Sequence, residues 1–299
     1  MKLNRFHRLR TARGKTLPSS SKPKLRFYLG ALASLILGLV ASLYFFFPVS
    51  ALEERVEYEI NGRTPVEADL MALSLGFPPA MRAETLILKI DQPQPYSLTF
   101  DKVSVKPLWH SLFGRNPGVA IHTDILGGAG EGTIRRNGDM EVSIARVIFD
   151  TPLPSLTSLR LSGNLKNGEL VTTVPAKPTT ESRMEVTLEN IRVIGLKSVG
   201  IGSDTLSLGA VSLRGSGRGN SFKIEQLESE GGDLKVSGGG TLLFGRTVES
   251  SRLNLNVILS PTPSLDKEMA ELLNLFRQPG RDGSYRFRVT GTVANPVVK

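Results

Sequence analysis

The spacing of apolar and polar positions changes along the chain, and each change predicts a different element. Phe27 to Phe47 is almost wholly apolar, and no charge occurs from Phe27 to Leu52. Twenty-one helical residues at 1.5 Å rise reach about 31 Å, close to a hydrocarbon core of about 30 Å, so this pattern predicts a membrane-spanning helix over 27–48. Tyr28 at one end and Tyr44 with Phe45 to Phe47 at the other suit the two interfaces, and Pro48 ends the span. Residues 49–62 then read as a charged helical stem: Leu52, Val56 and Ile60 stand at i, i+4 and i+8, and Asn61-Gly62 is a helix-stop pair.

Over residues 63–299 the dominant period is two. Leu98 and Phe100 alternate with Ser97 and Thr99, Val142 and Ile144 with Glu141 and Ser143, and Met184, Val186 and Leu188 with Glu185 and Thr187. Leu253, Leu255 and Val257 alternate with Arg252, Asn254 and Asn256, and Tyr285, Phe287 and Val289 with Arg286 and Arg288. Strands with one apolar and one polar face predict an antiparallel sheet wetted on one side. The pairs Asn137-Gly138, Asn167-Gly168, Gly219-Asn220 and Asp282-Gly283 stand between or before such runs and predict tight turns. After Leu188 the apolar parity slips to Ile191 and Val193, which predicts a bulge near Asn190.

Helical spacing returns over 264–277, where Ser264 can cap and Leu265, Met269, Leu272, Leu273 and Phe276 form one stripe that covers one end of the sheet. A shorter helical turn is expected over 108–113. Related strand-and-Gly stretches recur at 159–170, 213–240 and 285–296 with irregular spacing, a hairpin device reused along a growing sheet rather than a solenoid repeat. Of the 13 Phe, 5 Tyr and 1 Trp, seven precede residue 50, so the core is mostly Leu, Val and Ile, as suits a long, shallow sheet.

Charge adds an orientation. The chain of 299 residues has 37 Lys and Arg against 28 Asp and Glu, a formal charge of +9. Residues 1–26 hold nine basic side chains and no acid, so the excess belongs to a short tail and the remainder is neutral. A nucleic-acid-binding domain carries its basic excess on the folded body, so nucleic acid is excluded as a partner. The positive flank predicts a cytoplasmic tail (1–26), an inner-membrane anchor (27–48) and an exported body. Val49-Ser50-Ala51 resembles a signal-peptidase site, yet the apolar core exceeds the 7–15 residues of a secretory h-region, and the pattern favours an uncleaved anchor over cleavage after Ala51. The tail also has the charge to meet anionic headgroups.

Little in the sequence carries chemistry. The absence of Cys removes disulfides, thiolate nucleophiles and Cys-ligated metals. His122 and Asp124 share a strand face and His110 precedes them, but no further ligands complete a metal site. The runs Gly128-x-Gly130-x-Gly132, Gly215-x-Gly217-x-Gly219 and Gly238–Gly240 lead into strands or hairpins, whereas dinucleotide phosphates need a helix N-terminus there, so these read as turn and bulge glycines. No Gly-x-Ser-x-Gly elbow occurs. The reading is of a protein that is not an enzyme and needs no cofactor.

The single apolar span ending in Phe47-Pro48, the Leu75-Gly76-Phe77-Pro78-Pro79 and Ile125-Leu126-Gly127-Gly128 segments, Leu227 to Gly238, Ser251 to Pro261 and Arg281 to Val293 together resemble the GspN family of type II secretion systems, in the form related to AsmA-like envelope proteins. The resemblance covers about residues 43–297 and rests on turn and strand patterns. It implies a mainly β protein: one transmembrane helix, then an elongated, curled antiparallel sheet forming an AsmA-like groove with one C-terminal capping helix. It further implies a single-pass inner-membrane protein with a periplasmic domain that serves protein secretion through contacts with the secretion apparatus. The alternative implied function is lipid binding or transfer, with phospholipid acyl chains in a groove lined by Leu253, Leu255, Val257, Phe287 and Val289. An ordinary dry core demands the same pattern.

Overall fold

The computed structural model describes residues 22–46, 48–63, 67–76, 80–90, 96–112, 114–153, 156–245, 250–276 and 278–299. It divides into two units, Met1–Pro48 and Val49–Lys299. In the first, helix α1 covers Lys22–Phe45. Most of the basic tail expected over 1–26 lies outside the described residues. Among the described residues, no helix is long and apolar enough to cross a membrane. The membrane span expected over 27–48, and the single-pass inner-membrane localisation built on it, are therefore not supported.

The second unit opens with α2, Val49–Arg63, where Arg55 pairs with Glu59 one turn on at 2.6 Å. The helix runs past the expected stop at Asn61-Gly62, and Asn61 is used differently: its Oδ1 accepts the N–H of Ala68 at 2.7 Å. Fifteen strands follow among the described residues: β1 Glu67–Met71, β2 Ser74–Gly76, β3 Ala80–Ile90, β4 Tyr96–Pro107, β5 Gly118–Ile125, β6 Gly128–Arg135, β7 Asp139–Leu153, β8 Leu156–Thr173, β9 Glu181–Ile194, β10 Thr205–Arg218, β11 Ser221–Glu230, β12 Leu234–Leu243, β13 Arg252–Pro261, β14 Tyr285–Thr292 and β15 Pro296–Val298. All belong to one elongated antiparallel sheet in which β3 to β15 follow sequence order, while β1 and β2 pair with successive parts of β3.

The strand path never returns on itself, so the curled groove implied by the family resemblance is not what the sheet forms. Closure would require the two edges to meet. Instead α2 occupies the β1 edge, with Glu57 Oε1 taking the Leu70 N–H at 2.8 Å beside the Asn61 contact. The far edge, β15, is three residues long and begins with Pro296, which has no N–H to donate.

Local conformation explains the register. Between β5 and β6, Leu126 (φ 46°) and Gly127 (φ 78°) are both left-handed, as a two-residue turn that matches strand twist requires. Asn190 (φ 55°) sits where the parity slips, and the β9–β10 pairing shifts there from Leu188↔Val211 to Ile191↔Gly209. Asn167-Gly168 is not the turn that its residue types predict. It lies inside β8, paired on both sides, with Gly168 opposite Ile144 and Val186. The 159–170 stretch is thus one strand rather than a hairpin.

Two short helical pieces and one longer helix flank the sheet. The turn expected over 108–113 is α3, Trp109–Leu112, and a 3-10 turn follows β9 at Leu196–Val199. Helix α4, Lys267–Phe276, is inserted between β13 and β14. Its first turn is capped by Asp266, whose Oδ1 accepts the Glu268 N–H at 2.9 Å, while the expected cap, Ser264, bonds Thr262 instead. The apolar stripe of α4 buries Met269 against Leu159, Leu196 and Ile201, with Val193, Leu206, Leu265 and Leu272 packed around them. The core therefore sits at one end of the β8–β10 strands.

Candidate functional site

Because β3 to β14 pair in sequence order, cross-strand partners line up in rows running across the sheet. One row passes through Met81, Val105, Ile121 and Gly132 to Val142. It continues through Leu170, Met184 and Gly215, and then Ile224, Gly240, Leu255 and Val289. The adjacent row runs from Gly130 and Ile144 to Gly168, Val186 and Leu213, then Leu227, Gly238, Val257 and Phe287. Neither row holds a charged or titratable side chain between β3 and β14. Eleven strand spacings of about 4.8 Å make this apolar track roughly 53 Å long, measured along the sheet.

The five residues singled out from the sequence meet on this track: Leu255 opposes Val289, Val257 opposes Phe287, and Leu253 lies next to them opposite Gly291. All five are half-buried. Burial is graded along the strands. Toward α4 and the 3-10 turn, Leu159, Ile191 and Met269 are buried, whereas Val142, Met184, Leu213 and Leu255 keep part of their surface open. Every described strand belongs to the one sheet, so no second layer of described strands covers the track.

The glycine runs, read from sequence as turns and bulges, contribute to the same face from within strands. A Cβ at Gly215 would stand 2.5 Å from Cε1 of Phe222, so the buried Phe222 ring lies flat across β10. At Gly163 a Cβ would meet Ile191 Cδ1 and the Phe149 ring. Glycine opposite a large apolar residue keeps the face shallow. The sequence signal was present as Gly alternating with larger residues at period two, but only the register shows which face those glycines occupy.

The opposite face is polar and held by exposed cross-strand ion pairs. Arg160 lies 2.9 Å from Asp150, Lys166 2.7 Å from Glu189 and Arg214 2.8 Å from Glu185. The hydrogen bond from Arg160 holds the Asp150 carboxyl below its ordinary value, and that from Lys102 to Asp124 raises the Lys102 ammonium. Asp124 is thus engaged by Lys102 at 2.9 Å, His122 projects from the same strand toward solvent, and His110 lies in α3. Among the described residues, no group of three or more His, Asp or Glu is placed to hold a metal ion.

No family model, curated protein or solved structure matches this chain. With no match and no helix among the described residues able to cross a membrane, the expected role as an anchored component of type II secretion is not supported. The AsmA-like envelope alternative fails with the open strand path, which builds no enclosing groove.

Proposed function

We propose that this protein is a non-enzymatic binding module that lays the acyl chain of an amphiphile along the apolar face of its sheet. The observation that carries this reading is the apolar row crossing β3 to β14, joined from β6 onward by a second, without a covering layer of described strands. Burial of apolar surface is the driving force, at about 25 cal/mol per Å² removed from water. A linear chain suits the track better than a peptide strand. The interior of a sheet face offers no free backbone N–H or C=O, and of the two edges one is blocked by α2 and the other is short. The rows lack any acid, base or nucleophile, which covalent or proton-transfer catalysis needs.

A fluorescent fatty acid titrated into the detergent-free full chain tests the reading. Saturable binding is expected, weakened by about tenfold or more in Leu255→Asn and Val257→Asn, since each introduces a polar amide where a chain must dock. Ile148→Asn, on the polar face, should bind as the native chain does. No saturable binding, or equal weakening in all three variants, would overturn it.

A further inference from the structure

On the polar face, near the β10–β11 turn, a depression of about 570 Å³ is lined by Arg183, Ser216, Arg218, Ser221 and Lys223, with Glu181 beside them. The register explains the gathering. Ser216 on β10 pairs with Arg183 on β9 and with Lys223 on β11, and one step along, Arg218 pairs with Glu181 and Ser221. We propose that this depression binds a phosphate-class oxyanion. It lies on the face opposite the apolar track and does not rest on the acyl-chain reading.

Three features support the site. Elsewhere the polar face answers cations with carboxylates across strands: Arg214, one row further along β10, is held by Glu185 at 2.8 Å. Among the described residues, Arg183, Arg218 and Lys223 have no such ion pair, although each faces the same depression. Arg218 stands across from Glu181 without an ion pair forming, and Arg183 and Lys223 both face Ser216, so three cations share the depression with one lining carboxylate. The second feature is the state of the nearby acids. Glu225 accepts the Ser216 hydroxyl at its Oε1 and stands outside the lining, where Glu181 is the one carboxylate. The third is donor chemistry. Two guanidiniums with parallel N–H pairs, an ammonium and the Ser221 hydroxyl match several oxygens on one tetrahedral centre.

Amide spectra of the full chain, titrated with inorganic phosphate at constant ionic strength against chloride, test the proposal. Saturable shifts are expected at Ser182, Arg183, Gly217, Arg218 and Ser221. The double variant R183Q/R218Q should weaken binding by about tenfold or more, since it removes both charged hydrogen-bonding forks. R192Q removes an exposed cation elsewhere on β9 and should leave affinity unchanged. Co-sedimentation with vesicles of an anionic phospholipid separates the sources: vesicle binding lost in the double variant identifies a headgroup, while phosphate binding without it identifies the free ion. Shifts that chloride reproduces, or an affinity unmoved by R183Q/R218Q, would overturn the site.

Discussion

Single side chains in this sheet matter mostly through what they leave satisfied. Ser229 is fully buried on the apolar face; its Oγ accepts the Val236 N–H at 2.7 Å and donates to the Leu234 carbonyl. Ser229→Ala leaves that N–H unpaired and is expected to cost about 1–3 kcal/mol in urea unfolding. Ser104 is the contrast: its buried hydroxyl has no partner among the described residues, so Ser104→Ala should be neutral or stabilising in the same measurement. At the turn before β14, Asp282 accepts the Ser284 hydroxyl at 2.7 Å and its N–H at 3.2 Å, with Arg286 at 2.7 Å. The Ser284 hydroxyl, then its N–H, and more weakly the Arg286 charge hold the Asp282 carboxyl below its ordinary value of 3.8. A depressed carboxylate contributes stability above its unfolded pKa and loses it as pH falls through the folded one. Asp282→Asn should therefore lower the melting temperature at neutral pH, with the difference from the native chain vanishing in strong acid. The Asp282-Gly283 turn was legible in sequence; the role of Ser229 was not, because the β10–β11 register shifts at Arg214/Gly215 and sets which face it occupies.

At the scale of elements, the patterns read reliably where period and length agreed. The alternation over 253–257 and 285–289 forms β13 and β14, and the helix expected over 264–277 forms as Lys267–Phe276, with Leu265 of its stripe just before it. Errors arose where one residue type serves two purposes. Asn167-Gly168 has turn composition, yet Gly168 lies mid-strand between Ile144 and Val186, and pairing on both sides decides the matter. Gly130, Gly215 and Gly240 likewise lie within strands, and only at Gly215 does a neighbour's ring, that of Phe222, take the space a side chain would need. Helix α4 is the element whose packing is most concentrated. Met269→Ala removes its buried anchor against Leu159, Leu196 and Ile201 and should cost about 2–5 kcal/mol in urea unfolding. Glu268, whose Oε2 accepts the Gly202 N–H at 2.6 Å, holds the same helix to the segment after the 3-10 turn.

For the whole molecule, the sheet is long and single-layered, so its apolar face cannot be fully buried by its own strands. Sequence announced the face but not its openness, since a dry core and an exposed track demand the same alternation. The expected span over 27–48 is not supported, since no helix among the described residues is long and apolar enough to cross a membrane. The most direct measurement is a titration of the methyl-labelled full chain with a spin-labelled stearate. Broadening should appear at the methyls of Val142, Val186, Leu213, Leu255 and Val289 and spare Ile148 and Val171, which are exposed on the other face. Broadening that reaches Ile148 and Val171 equally, or none at saturating stearate, would contradict a hydrocarbon track across these strands.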